Sequence, residues 1–169
     1  MKKNNSGYSM LELIMSLSVF TTITMIIFQA FSTGTRNLNV TYHRGIATGE
    51  ARMGMERMTQ ELRNSSYSRV TVIGGNRLQF QEPTNITSDG VITWSGLVEY
   101  RLAGINSQQL LRYPGSGAAP TVVANRVTAL QFIKNANPNT LTINITIQSQ
   151  TDAGHIMPVA LSNAVEFRN

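Results

Sequence analysis

A single carboxylate stands inside an otherwise apolar run. From Met10 to Phe31 the residues are mostly Leu, Ile, Met, Val and Phe, with Ser and Thr interspersed, and Glu12 is the only charged group. A carboxylate at the centre of a membrane helix costs about 2.5–3.5 kcal/mol or more, so it persists where it has a cationic partner or a function. The chemistry to expect of Glu12 is therefore charge pairing. Other candidates carry less. His43 and His155 are the only histidines, and no ligand set surrounds either in the sequence. Met53, Met55 and Met58 have the composition of a soft-metal site, but Met at helical spacing is core filling. The remaining carboxylates are scattered, without a convergent acid, base or nucleophile. The stretch Tyr113–Pro120, with Gly115, Ser116 and Gly117, lacks the Lys and the strand-to-helix setting of a phosphate-binding loop, and reads as a surface loop. The expectation is a protein that is not an enzyme and holds neither metal nor cofactor.

Charge points the same way. Fourteen Lys and Arg against nine Asp and Glu give +5, and setting aside Lys2 and Lys3 leaves twelve against nine, or +3. The arginines are spread singly, without the block of like charges that marks a nucleic-acid tail. Nucleic acid is not indicated, although charge alone leaves a DNA-binding head open. With no cysteine, the fold must be held by its core and hydrogen bonds rather than by disulfides.

The element that must position Glu12 is a helix. From Tyr8 to Phe31 it would be about 36 Å long at ~1.5 Å per residue, enough for the ~30 Å hydrocarbon layer with some tilt. Lys2 and Lys3 on its N-terminal side predict a cytoplasmic start, with the rest of the chain across the membrane. A secretory signal peptide would share the basic start and apolar run, with its cleavage site at the far end, where Ala30 to Gly34 supply small residues. Glu12 argues against that alternative.

Gly7-Tyr8-Ser9-Met10-Leu11-Glu12-Leu13 resembles the prepilin (class III) signal: Gly, an aromatic residue, a small hydroxyl residue, two apolar residues, Glu and Leu. In that family a membrane peptidase cuts after the Gly and methylates the new N-terminal amine. The resemblance implies that Gly7 and Tyr8 are the cleavage pair, Tyr8 the methylated first residue, and Glu12 the assembly residue. Glu12 would be fifth in the mature chain, with its own amine about 6 Å back along the helix axis. A neighbouring subunit displaced along a filament would bring its ammonium beside Glu12 instead, where two opposite charges in a low-dielectric core offset much of their desolvation. The implied partners are a prepilin peptidase, other pilin or pseudopilin subunits and an inner-membrane assembly platform. The implied location is the bacterial inner membrane, single-pass, with the head in the periplasm or outside, and then the pilus or pseudopilus.

Beyond Phe31, Ala47, Ala51, Met55, Met58 and Leu62 recur at spacings of four, four, three and four, one face of an amphipathic helix that should pack on a sheet. Gly34, Gly45, Gly49 and Gly54 each lower helix propensity by about 0.8–1.0 kcal/mol relative to Ala. They either bend the join between membrane and head or allow close packing. From Arg69 on, short apolar or alternating runs read as strands: Val70–Ile73 and Arg77–Gln81 as a hairpin about Gly74-Gly75-Asn76, then Val91–Trp94, Leu97–Leu102, Gln109–Tyr113, Val127–Lys134 and Leu141–Ile147. Pro158–Arg168 adds an edge strand, and Asn135–Asn139 about Pro138 reads as a loop.

The fold class is α+β, pilin-like: a long N-terminal helix packed on an antiparallel sheet. Its parts are a leader (1–7), a transmembrane or filament-core helix (8–31), an amphipathic extension (32–66) and a β-rich head (67–169). Arg52–Arg63 followed by Val70–Phe80, Val98–Leu102 and Leu110-Leu111-Arg112 looks like minor pilins of the PilW kind and J-type pseudopilins. The chain departs from major pilins in lacking a cysteine pair and in having Gln29 where many have a helix-kinking proline. The resemblance implies a minor pilin or pseudopilin that assembles into, or initiates, a type IV pilus or type II secretion pseudopilus. The alternatives are a DNA-uptake (competence) pseudopilin with a DNA-binding head, and a simple membrane-anchored surface protein.

Overall fold

The computed structural model describes residues 9–152 and 154–167. Helix α1 runs from Met10 to Arg63. No proline precedes Pro83, so nothing removes a backbone donor from the helix. Its start is set by the Ser9 carbonyl, which accepts from the amides of Glu12 (2.9 Å) and Leu13 (3.2 Å). Within the apolar stretch the hydroxyls fold back onto the helix: Ser16 donates to the Glu12 carbonyl, Thr22 to Ser18 and Thr24 to Phe20, each at 2.8 Å. These bonds satisfy the hydroxyl donors within the helix itself.

The chain divides between Thr41 and Tyr42 into two units. In the first, α1 buries none of its side chains. In the second, the buried α1 residues are Ala47, Ala51, Gly54, Met55, Met58, Thr59 and Leu62. The five expected stripe residues are all among them. The helix runs without interruption through its four glycines. Only Gly54 meets a neighbour: a Cβ there would stand 3.4 Å from the Ala124 Cβ, whereas Gly34, Gly45 and Gly49 face open space. Close packing therefore explains Gly54 alone. The helix ends at Arg63, short of the expected boundary at 66, because the amides of Asn64 and Ser65 tighten onto the carbonyls of Glu61 and Leu62. The Ser65 hydroxyl then donates to the Gln81 carbonyl at 2.8 Å.

The head has ten strands among the described residues: β1 (Thr71–Ile73), β2 (Arg77–Phe80), β3 (Pro83–Ile86), β4 (Ile92–Trp94), β5 (Val98–Ala103), β6 (Gln109–Tyr113), β7 (Thr121–Ala124), β8 (Val127–Ala136), β9 (Asn139–Gln150) and β10 (Ile156–Glu166). Every pairing is antiparallel, in three sheets rather than the single sheet expected: β1-β2-β5-β6-β7, β10-β9-β8 and the hairpin β3-β4. The chain leaves the first sheet at Asn125-Arg126, where Arg126 takes a φ of +58° and redirects it into β8.

Both larger sheets contribute to the core that covers the α1 stripe. Leu78, Phe80, Val98, Tyr100 and Leu110 come from one, and Leu130, Phe132, Leu141, Ile143, Ile145, Ile147 and Val159 from the other. Strand β9 shows the period directly, with Leu141, Ile143, Ile145 and Ile147 buried and the intervening Thr and Asn half-buried. Each large side chain removed from water contributes about 1.5–3 kcal/mol, so the stripe and its cover dominate stability. The expected Asn135–Asn139 loop contracts to a turn at Asn137-Pro138, since Asn135 and Ala136 continue β8 and Asn139 opens β9.

Gly96, before β5, and Gly115, after β6, face each other so closely that a Cβ on either would fall onto the other's backbone. Gly96→Ala and Gly115→Ala should each lower the stability of the full chain in detergent by about 1–3 kcal/mol, the range of a steric defect that backbone must absorb. Urea unfolding followed by Trp94 fluorescence measures it, and an unchanged midpoint in both would contradict the close approach.

Candidate functional site

Glu12 lies in the first turn of α1, where the helix dipole favours a negative charge. Around it the helix is apolar and uncovered: Met10 is 82% exposed, Phe28 71% and Phe31 70%. By length and composition this helix qualifies as a candidate membrane span. A core helix of a water-soluble protein would be buried along such a stretch, and this one is not. Gly7 and Tyr8, the expected cleavage pair, lie outside the described residues.

The head offers polar chemistry of a different kind. Glu61, one residue before the end of the stripe, reaches across to the five-stranded sheet. Its Oε2 accepts from Arg112 Nε at 2.8 Å and from the Tyr100 hydroxyl at 2.9 Å, while Oε1 is 3.4 Å from Arg57 Nε. Arg112 and Glu61 side chains are each only 16% exposed. Tyr100 is fully buried and stacks on Phe80 with ring centroids 6.0 Å apart. Burial first, and then the Glu61 carboxylate, push the Tyr100 hydroxyl well above its ordinary pKa, so it stays a donor. Glu82 stands 3.7 Å from the same guanidinium. Burial and the repulsion of Glu61 raise its carboxyl above the usual range, with Arg112 opposing them. Arg112 is shared unequally: the 2.8 Å contact takes the charge and Glu82 receives the remainder.

A second cluster lies on strands β2, β5 and β6. Glu99 accepts from Arg77 Nη2 at 3.0 Å on both oxygens and from Gln79 at 2.7 Å. Burial alone would raise its carboxyl, but these bonds and the charges of Arg77 and Arg101 hold it below its ordinary value. The Arg101 guanidinium lies 4.3 Å over the Tyr113 ring. Arg126 pairs with Glu50 at 3.5 Å. Arg77, Arg101 and Arg126 thus each face a carboxylate while remaining more than a third exposed.

His43 Nε2 is 3.5 Å from Asp152, and the His155 amide donates to the Thr151 hydroxyl at 3.1 Å. Both contacts fall on the turn between Thr151 and His155. Among the described residues no group of three His, Cys, Asp or Glu side chains could hold a metal. Met55 and Met58 fill the core and Met53 is 63% exposed, so the methionines do not converge. The Glu61–Arg112–Tyr100 tie was not foreseen. Its signal was a carboxylate beside Leu62 on the flank of the stripe, which by itself does not name its partners across 39 and 51 residues of chain.

No protein-family model, no curated protein and no solved structure matches the chain.

Removing Arg112 would leave Glu61 and Glu82 facing each other, so Arg112→Ala should cost about 3 kcal/mol, the low end for breaking a buried pair. Glu82 behaves oppositely. Its folded pKa is raised, so its charged form weakens the fold above that pKa, and the penalty is absent below the unfolded value of ~4.3. Glu82→Gln should leave stability at pH 7 unchanged or higher, with the difference vanishing below about pH 4. Urea midpoints at the two pH values decide; a loss at pH 7 as large as that of Arg112→Ala would contradict the unequal sharing.

Proposed function

We infer that the chain is a prepilin-type subunit, a minor pilin or pseudopilin. It is cut between Gly7 and Tyr8, methylated at Tyr8, held in the inner membrane by the apolar half of α1, and assembled into a type IV pilus or type II secretion pseudopilus. The observation that carries this reading is a carboxylate in the first turn of a long helix whose surrounding apolar surface is uncovered. A helix meant only as an anchor gains nothing from Glu12. A helix meant to pass from lipid into a filament needs a group that recognises the next subunit in an apolar setting, and a buried charge pair supplies direction and register there.

The remaining features follow from the same role. The anchor and the filament core are one segment, so cleavage falls before the apolar run and the helix is kept. The hydroxyls of Ser16, Thr22 and Thr24 are bonded to their own helix, which lets the segment exchange lipid neighbours for protein neighbours without exposing unmet donors. The head is tied by a core and internal ion pairs, as suits a structural subunit rather than a catalyst.

Glu12→Ala should leave cleavage intact while reducing the subunit in sheared filament fractions at least tenfold. Immunoblots of membrane and sheared fractions, with the processed band as the control for cleavage, measure both. Normal incorporation of the variant would sink the assembly role.

A further inference from the structure

Strands β2 and β5 run antiparallel as far as Phe80↔Val98, and β3 and β4 take up the pairing again at Pro83↔Trp94. Between the two ladders lies a neck of unequal halves, Gln81 and Glu82 on one side and Ser95, Gly96 and Leu97 on the other. An extra residue on one strand interrupts the ladder and bends it. Ser95 bridges this neck. Its amide donates to the Glu82 carbonyl at 2.8 Å, and its Oγ accepts from the Glu82 amide at 2.9 Å. Gln81 Nε2 adds a bond to the Ser95 carbonyl at 3.0 Å.

Little else among the described residues holds the hairpin beyond the neck. Every residue from Pro83 to Thr93 is exposed, and the large apolar side chains there find no cover: Ile86 is 65% exposed and Val91 61%. Thr84 and Thr87 spend their hydroxyls inside the hairpin, on Thr93 and Val91. At its base Arg69 lies 5.0 Å over the Trp94 ring, with its Nη1 donating to Gln81. A two-stranded hairpin with no covered apolar face is marginal in water, and a segment with few buried apolar contacts opens before the rest of a fold. Gly96 is pinned by its close approach to Gly115, so movement of the hairpin falls on Glu82 and Ser95.

The neck also carries charge. Glu82 is 3.7 Å from Arg112 of β6, which Glu61 of α1 already holds at 2.8 Å. Behind them Arg57 of α1 is 3.4 Å from Glu61, and the Tyr100 hydroxyl of β5 donates to the same carboxylate. One guanidinium thus serves two carboxylates, and Glu82 is the farther. Burial and the repulsion of Glu61 hold its carboxyl above the usual range against the pull of Arg112. Such a carboxyl is relieved on reaching water, so its ionised form favours an open neck. Closure is therefore firmest below the exposed value of ~4.3 and weakens as pH rises through the raised one.

We propose that the β3–β4 hairpin is a hinged arm that swings about Glu82 and Ser95, closed on the head while Glu82 is neutral and loosened when Glu82 is charged. Hinges are a few residues at the ends of elements that absorb the backbone change, and these two stand between one ladder and the next. The arm moves as a unit because its own bonds stay within it.

The chain has no cysteine, so spin labels attach only where cysteines are introduced. In the full chain in detergent, Ser88→Cys marks the tip of the hairpin and Ala164→Cys marks β10. The distribution of distances between the labels should be about twofold broader at pH 7 than at pH 4, and narrow at both with Glu82→Gln. Glu99 and the other carboxylates titrate alike in both chains, so the comparison isolates Glu82. Residue-resolved hydrogen exchange of the unsubstituted chain, corrected for the intrinsic rate at each pH, keeps the test decisive if the labelled chains do not fold. The amides of Glu82 and Ser95 should be protected about tenfold less than those of Ile143 and Ile145 in β9, and the protection of Ser95 should fall about threefold from pH 4 to pH 7. A distribution equally wide at the two pH values, a pH response that survives Glu82→Gln, or a neck as protected as β9 would overturn the proposal.

Discussion

The structure depends on a mismatch between one helix and water. Fourteen large apolar side chains between Met10 and Phe31 are exposed, and each would gain about 1.5–3 kcal/mol on leaving water. Their sum reaches tens of kcal/mol, above the 5–15 kcal/mol that holds a typical domain together. No rearrangement of the head could compensate for leaving such a surface wet. By length and composition the segment is a candidate membrane span, and a helix suits such a setting because its backbone bonds are satisfied internally.

The same helix solves a different problem in the head. There its stripe from Ala47 to Leu62 is narrow, built from alanines and a glycine at one end and methionines and leucine at the other, and is covered by strands from two sheets. The small residues bring Ala124 and Val123 of β7 against Gly54, while Met55 and Met58 are buried in the core that strands of both larger sheets complete. Glu61 then crosses to Arg112 and Tyr100, so the flank of the helix is tied to β5 and β6 by bonds that water does not weaken as it would at the surface. Helix and sheet resist separation there, because the paired charges would be left buried and unmatched.

Much of this was legible in the sequence. The stripe 47, 51, 55, 58, 62 and the alternation 141, 143, 145, 147 are periodic patterns, and each side chain went where its period placed it. The turn at Gly74-Gly75-Asn76 was equally plain, whereas the loop expected over Asn135–Asn139 is a turn at Asn137-Pro138 between strands that run on to either side of it. Strands β3 and β7 were not, for physical reasons: β3 opens on a proline with every residue exposed, and β7 has two outward residues and only one buried, so neither carries a usable period. The division into separate sheets turned on the backbone of Arg126, a residue type with no preference for positive φ. At the candidate site, Glu12 was visible because a charge in an apolar run is costly wherever it occurs. The Glu61 tie was not, because partners so distant in sequence are brought together only by the packing of the whole head.

The central claim is that the apolar helix is retained while the residues before it are removed. Intact mass and N-terminal sequencing of the chain, expressed with and without a prepilin peptidase, test it most directly. The account predicts peptidase-dependent loss of Met1–Gly7 and a methylated Tyr8 at the new terminus. An unprocessed chain, or one cut beyond Phe31, would contradict it.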